Sequence, residues 1–256
     1  MLLAFNLPAN APWWMAAIGS IIAIVLVKQM FGGIGQNFIN PALAARTILM
    51  LSWAGLIAAT ALPAGGQLFG LTTVPVDAVA SATPLVSSSY SLWQLFIGDV
   101  PGMLGETCKL TLILGGVYLI VRKVIDWRIP VFFIATAFIL FWIQTGVIYS
   151  VESGTDNALY QILSGGLLLG AFFMATDYVT SPVSKWGKVV MGIGCAVILF
   201  VIRAYNNSYP EGCSFAILFM NVLTPLIDKW TMPRTFGAVK PAKAKKSEAK
   251  QGGAKA

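Results

Sequence analysis

The sequence predicts an all-α polytopic membrane protein with about seven transmembrane segments and one long extracytoplasmic loop. Three observations carry that expectation. Of 256 residues, 57% are hydrophobic and 11% are charged, where a soluble domain carries about 25% charged residues. Mean hydropathy is +0.77, so the chain needs lipid to cover its apolar surface. Apolar runs recur along the chain, and lysine and arginine gather in alternate joints between them.

Residues 12–27 form the first run, which ends at Lys28. The second spans 48–76 and is divided near Leu62 by Pro63, Gly65 and Gly66. The third spans 102–121, with Glu106 and Lys109 near its start. Residues 129–151 carry no charge, and 157–176, 189–202 and 212–227 complete the set. Several runs are shorter than the roughly 20 residues that cross a bilayer. Gly and Pro border them: GGIG at 32–35, NP at 40–41, SP at 181–182 and YPEG at 209–212. Such interrupted helices persist in lipid only where protein or a cavity shields the backbone. In transporters they line substrate and ion sites.

The charges of the joints set an orientation. Arg122, Lys123, Asp126 and Arg128 follow the third run; Glu152 and Asp156 follow the fourth with no base; Lys185 and Lys188 follow the fifth. Lys229, Arg234 and six lysines from Lys240 onward close the chain. By the positive-inside rule that end is cytoplasmic. Counting back five crossings places 63–101 outside and Lys28 inside, and Arg203 alone runs against the count. Four regions follow: 1–62, the N-terminal membrane segments; 63–101, the extracytoplasmic loop; 102–237, a five-helix membrane unit; and 238–256, a disordered basic cytoplasmic tail. The tail is an Ala/Lys/Gly sequence with nothing to pack and serves as a topology anchor. It has no basic fold behind it, so nucleic acid is not an expected partner.

The chain has no histidine and three cysteines, Cys108, Cys195 and Cys213, without CxxC spacing. Histidine-ligated haem, histidine zinc sites, self-contained iron–sulfur clusters and histidine acid–base schemes are excluded. The thiols read as small apolar packers. A redox role would therefore take an organic cofactor, and flavin suits it because it exchanges one or two electrons. No catalytic residue and no metal site are expected in this chain. In the loop, Trp93, Leu95, Phe96 and Ile97 predict a short interfacial helix. Asn37, Asn40 and Pro41 read either as the polar end of a broken helix lining a flavin or ion site or as a cap before Pro41. Asp177, Thr180 and Ser181 before Pro182 read the same way. Asp99, Glu106, Asp126, Glu211 and Asp228 lie near membrane ends and are candidates for an ion path.

The centre of the loop reads Asp77-Ala78-Val79-Ala80-Ser81-Ala82-Thr83-Pro84-Leu85. Its D-x-x-x-S-A-T pattern resembles the acceptor motif for covalent flavinylation, with Ala78 and Ala80 where the usual pattern has Gly and a hydroxyl residue. Around it, LPANAPWWMAAIG, VLVKQMFGGIGQNFINPALAARTIL, GDVPGMLGETCKLTLILGGVYLI, WRIP, LLLGAFFMATDYVTSP, YPEGCSFAILFMN and PLIDKW with PRTFG occur in this order. From about Leu7 to Gly237 the chain resembles the D subunit of the Rnf electron-transport complex, a homologue of the B subunit of the sodium-pumping NADH:quinone reductase.

The resemblance implies a bacterial inner-membrane flavoprotein. It implies a multi-subunit complex that passes electrons between ferredoxin and NAD and moves Na⁺ or H⁺. FMN is expected as a phosphoester on Thr83, within a motif that includes Asp77 and Ser81 and is read by a flavin transferase. A second, non-covalent flavin such as riboflavin is expected within the helices. The family has about ten crossings, so Met1 is expected not to begin a complete domain. Partner subunits supply the electron donor and acceptor, and Gly115-Gly116 and Gly165-Gly166 are the expected helix–helix contacts with them. The alternatives are the quinone-reductase B subunit, a transporter or channel without flavin, and a purely structural membrane subunit.

Overall fold

The computed structural model describes residues 1–33, 35–58, 84–85, 90–148, 157–206 and 211–233. Among them the chain is helical, and its one extended contact is an isolated antiparallel bridge between Pro8 and Met103. Asp77, Ser81 and Thr83 lie outside the described residues, as does the tail.

α1 (Leu2–Phe5) leads to the bend at Pro8. α2 (Trp13–Ile21) starts after Pro12 and continues as a π-helix over Ile22–Gln29. α3 (Pro41–Ser52) has a well-defined start. The Asn40 side chain accepts from the Ala42 and Leu43 N–H groups, and Pro41 takes the first position, where no N–H is needed. The second apolar segment therefore begins at Pro41, not at residue 48. Arg46, which bounded the run on charge, lies inside the helix because it is paired there. α4 (Ala54–Ala58) follows.

α5 (Leu92–Ile97) is the expected short helix. Ser91 and Gln94 form a capping box, and Gly98 closes it at φ 103°. Leu95 is buried with Val100 and Tyr160, while Trp93 is exposed. α6 (Lys109–Val121) begins at Lys109 and not at residue 102. The stretch before it is irregular and is pinned to the N-terminal bend: Leu104 N–H donates to Leu7 O at 3.1 Å, and Gly105 N–H to Phe5 O at 2.8 Å.

Among the described residues, α7 (Arg128–Thr145) and α10 (Lys185–Tyr205) are the two helices long and apolar enough to cross a bilayer by themselves. At 21 residues α10 spans about 30 Å. Between them the chain runs as two short pieces. α8 (Ala158–Leu163) stops at Ser164, and α9 (Leu167–Leu169) restarts after Gly166 and continues as a π-helix over Gly170–Met174. α11 (Cys213–Thr231) holds Pro225 in its interior.

α7, α10 and α11 pack around the α9 segment on one core that includes Phe133, Phe141, Leu167, Met174, Met191 and Ile217. α1, α2 and α3 form a second core around Met15, Ala45 and Leu49. The glycines expected at subunit contacts face inward. A Cβ on Gly116 would run into the Phe172 ring, and one on Gly115 would meet Phe173 at 3.2 Å. Gly165 and Gly166 lie at the break between α8 and α9. These glycines let segments approach within the chain.

Between α6 and α7 a charged joint ties three helices. Asp126 Oδ2 accepts from Arg128 Nη1 at 2.9 Å and from Lys188 Nζ of α10 at 3.0 Å. Partial burial raises the Asp126 carboxyl, but the Arg128 N–H and the Lys188 ammonium hold it below its ordinary value. A depressed carboxylate stabilises the fold above its unfolded value, and that contribution is lost as pH falls through the folded value. Wild type is therefore expected to lose thermal stability as pH drops below about 4, and Asp126→Asn to flatten that limb.

Gly116→Ala is expected to destabilise by about 1–3 kcal/mol through overpacking against Phe172. Gly55→Ala, with open space around it, is expected to melt like wild type in detergent.

Candidate functional site at the helix break

A helix interrupted inside an apolar bundle exposes carbonyls at one cut end and N–H groups at the other. In lipid these need partners from the protein. Ser164, Gly165 and Gly166 form such a cut, with Gly165 at φ +65°. A side chain at Gly165 would be strained there, and its Cβ would press on Leu85 at 2.8 Å.

Cations take the carbonyl side. Arg203 of α10 donates through Nη1 to Gln161 O and through Nη2 to Ser164 O at 3.1 Å. Lys109, 2% exposed, donates to Gly165 O at 2.7 Å and to Glu106 O. A carboxylate takes the amide side: Gly166 N–H donates to Glu211 Oε1 at 2.9 Å. This is the charge order that the partial charges at helix ends favour.

Glu211 also joins the break to the N-terminal unit. Its Oε2 accepts from Arg46 Nη2 at 2.7 Å. Arg46 is 3% exposed, and its Nη1 donates to Asn6 Oδ1 and to Ser214 Oγ, each at 3.0 Å. The cluster thus gathers α3, α6, α10 and α11 around the cut. Glu106 completes it, with Oε1 accepting from Met103 N–H at 3.2 Å.

Pro84 and Leu85 border this cluster. Tyr160 Oη donates to the carbonyl of Pro84 at 3.0 Å, and Pro84 follows Thr83 in the chain. Pro84, Leu95, Glu106, Lys109 and Gly165 line a cleft of about 10 Å³, room for about one water.

The other end of the α9 segment meets a larger cavity of about 300 Å³, at the lower bound of small-molecule sites. Its walls include Asn40, Phe172, Phe173, Thr176, Asp177 and Tyr178. Asn40 is both cap and wall. While capping α3 it donates through Nδ2 to Met174 O at 3.2 Å. Asp177 Oδ2 accepts from Thr180 at 3.2 Å.

Four of the five carboxylates named as ion-path candidates, all but Asp99, separate into two kinds. Glu106 and Glu211 enter the buried cluster. Asp126 and Asp228 do local work, Asp228 accepting from Val183 N–H at 3.1 Å. Asn37 donates to Ile39 O at 3.0 Å and does not line the cavity. Arg46 and Asn6 were missed. The available signal was an arginine within an apolar run behind an Asn-Pro start, since ionisable residues inside membrane segments are functional candidates by default. Among the described residues no group of three His, Cys, Asp or Glu is placed to hold a metal.

The fold is therefore that of a helical membrane protein with a discontinuous helix, ionic partners at its cut and an aromatic cavity at its far end. Residues 1–237 match the model of the NQR2, RnfD, RnfE family, and the chain belongs to that family. It is 46% identical to the D subunit of the Na⁺-translocating ferredoxin:NAD⁺ oxidoreductase complex of Acetobacterium woodii, over 96% of this chain and 74% of that protein. It is 40% identical to the D subunit of the proton-translocating ferredoxin:NAD⁺ oxidoreductase complex of Clostridium ljungdahlii, over 93% and 72%. It is 39% identical to the D subunit of the ion-translocating oxidoreductase complex of Stutzerimonas stutzeri, over 92% and 73%.

Removing one partner of a buried ion pair costs about 3–5 kcal/mol, because the remaining charge stays unpaired. Arg46→Gln is expected to show a loss of that size in the amount of folded protein in membranes. Arg46→Gln/Glu211→Gln is expected to recover part of it.

Proposed function

We propose that this chain is the D subunit of an ion-translocating ferredoxin:NAD⁺ oxidoreductase complex. Electrons pass through FMN joined to Thr83 by a phosphoester, and the transfer is coupled to movement of Na⁺ or H⁺. The observation that carries the reading is the match of the whole chain before its tail to the family, with relatives named as D subunits of ferredoxin:NAD⁺ oxidoreductase complexes in two organisms. Asp77 and Ser81 complete the motif that a flavin transferase reads, and they act in attachment.

Pro84 supports a flavin at this place in the fold. The Tyr160 hydroxyl holds its carbonyl, so the chain next to Thr83 is anchored on α8. The adjoining cleft of about 10 Å³ is far too small for an isoalloxazine ring. A flavin on Thr83 therefore does not occupy that cleft. When bound, it supplies one- and two-electron transfer, while the protein supplies position and electrostatics.

The second flavin, non-covalent and of the riboflavin kind, belongs in the cavity beside Asn40. Phe172, Phe173 and Tyr178 offer apolar and aromatic walls, and the Asp177 carboxylate has an acceptor oxygen to spare for a ring N–H or a ribityl hydroxyl. The residues present fit such a group.

In this reading the chain crosses a bacterial inner membrane several times, with the 63–101 loop outside and the C-terminus in the cytoplasm. Trp13, Trp93, Trp186 and Trp230 sit near helix ends with 83%, 69%, 74% and 75% of their surface exposed, as residues of an interfacial belt do. The charge joints give the direction. Arg203 loses its weight against the count, since it caps carbonyls inside the protein.

The test is a denaturing gel of the complex under ultraviolet light, made with its flavin transferase. A fluorescent band at the mass of this chain in wild type, absent in Thr83→Ala, is the expected result. A band that persists in Thr83→Ala moves the attachment elsewhere, and no band in wild type removes covalent flavin.

A further inference from the structure

Two carboxyl groups meet at the helix break with no donor between them. Glu106 is 3% exposed. Its Oε1 accepts from Met103 N–H, but its Oε2 is buried without a hydrogen-bond partner. That oxygen lies 2.9 Å from where a Cβ on Gly166 would stand, and Glu211 Oε1 lies 2.9 Å from the same point. The two carboxyl oxygens therefore border the same point beside Gly166. Two ionised carboxylates in a water-poor site repel, and such a pair holds one proton between them.

The geometry also says which residue carries it. Both Glu211 oxygens already have donors, Gly166 N–H on Oε1 and Arg46 Nη2 on Oε2. A carboxylate with two donors is the ionised member. We infer that Glu106 and Glu211 form a buried proton-binding site, in which one proton rests on Glu106 Oε2 and is donated to Glu211 Oε1.

The charged and titratable groups around the pair come from four helices: Arg46 of α3, Lys109 of α6, Arg203 of α10 and Cys213 of α11. The three cations are committed elsewhere. Arg46 donates to Glu211, Asn6 and Ser214; Lys109 and Arg203 donate to carbonyls at the break. None donates to Glu106 Oε2. A metal ion would need several oxygen ligands, and among the described residues no group of three His, Cys, Asp or Glu is placed to hold one. A proton adds no ligand demand beyond the two oxygens that face each other.

The proton has a way in. Glu106 lines the cleft beside Pro84 and Lys109, whose size suits about one water. Loading converts the Glu106 carboxylate to the acid with a proton that a water in the cleft passes on from bulk hydronium, so that the water stays neutral and no electron moves. The site stands whether or not Thr83 carries a flavin.

Difference infrared spectroscopy of the intact complex in lipid, between acidic and alkaline pH, tests this. The expected result is a carboxylic-acid C=O band that shifts in heavy water and is lost completely in Glu106→Gln. Glu106→Gln keeps the shape and offers an amide N–H to Glu211, so its assembly is expected to match wild type, while Glu211→Gln strips Arg46 and lowers assembly. No acid band in wild type, or a band that persists unchanged in Glu106→Gln, overturns the inference. If Glu106→Gln did not assemble, Glu106→Asp reads the same question. It must move the band, and an unmoved band overturns the inference. Loss of the band on adding Na⁺ at constant pH also overturns it, by showing a metal in the site.

Discussion

The break at Ser164, Gly165 and Gly166 is the constraint on which the other contacts depend. A continuous helix satisfies its own backbone, and a cut one does not. Here the freed carbonyls of Gln161, Ser164 and Gly165 take Arg203 and Lys109, and the freed N–H of Gly166 takes Glu211. Those three side chains stand on α10, on the first turn of α6 and just before α11. Satisfying the cut therefore draws the ends of three helices to one point. Arg46 then joins the N-terminal unit to the same point through Glu211, Asn6 and Ser214. The apolar cores fill the space that this arrangement defines.

The far end of the α9 segment is held differently. Its last carbonyl, on Met174, accepts a neutral amide from Asn40. Asn40 also caps α3, and its own N–H donates at 3.1 Å to Asn221 of α11 once that amide is oriented by its hydrogen bonds. One end of the half-helix is thus ionic and tightly closed. The other is neutral and borders a cavity of about 300 Å³. A ligand needing aromatic walls and one carboxylate finds them at the second end, and only a group as small as water or a proton fits at the first.

Much of the helical plan was legible in the sequence. The apolar runs mark α2, α6, α7, α10 and α11, and the short helix at 92–97 shows in its aromatic and aliphatic residues. What charge obscured was the start of α3 and of α6. Arg46 reads as a boundary because a lone cation in an apolar run is costly, yet it is inside α3 with its partners supplied from residues remote in sequence; the third run, drawn through Glu106 and Lys109, begins before α6 does. Glu211 is 165 positions from Arg46, and no local pattern reports a pairing of that separation. The glycines misled in the same way. Small residues mark close approach, but the sequence does not say whether the approaching surface is another protein or, as at Gly116, the chain's own Phe172. The aromatic cavity was visible only as Asn40-Pro41 and Asp177, two motifs whose junction requires the fold.

Stability alone does not account for the charges at the cut. A buried ion pair is often replaceable by apolar residues of similar size at little or no cost, so Arg46 and Glu211 are poor candidates for a role as simple braces. The cut and its charges are coherent only together: the interruption creates polar demands that the charges meet, and the charges are tolerable because the interruption supplies carbonyls and an N–H to receive them. A structure that carries both costs at one point, beside the residue that follows Thr83, has its polar capacity where a charge must be held within the bundle. That is the physical sense in which the break, and not either core, sets the polar interior of this fold.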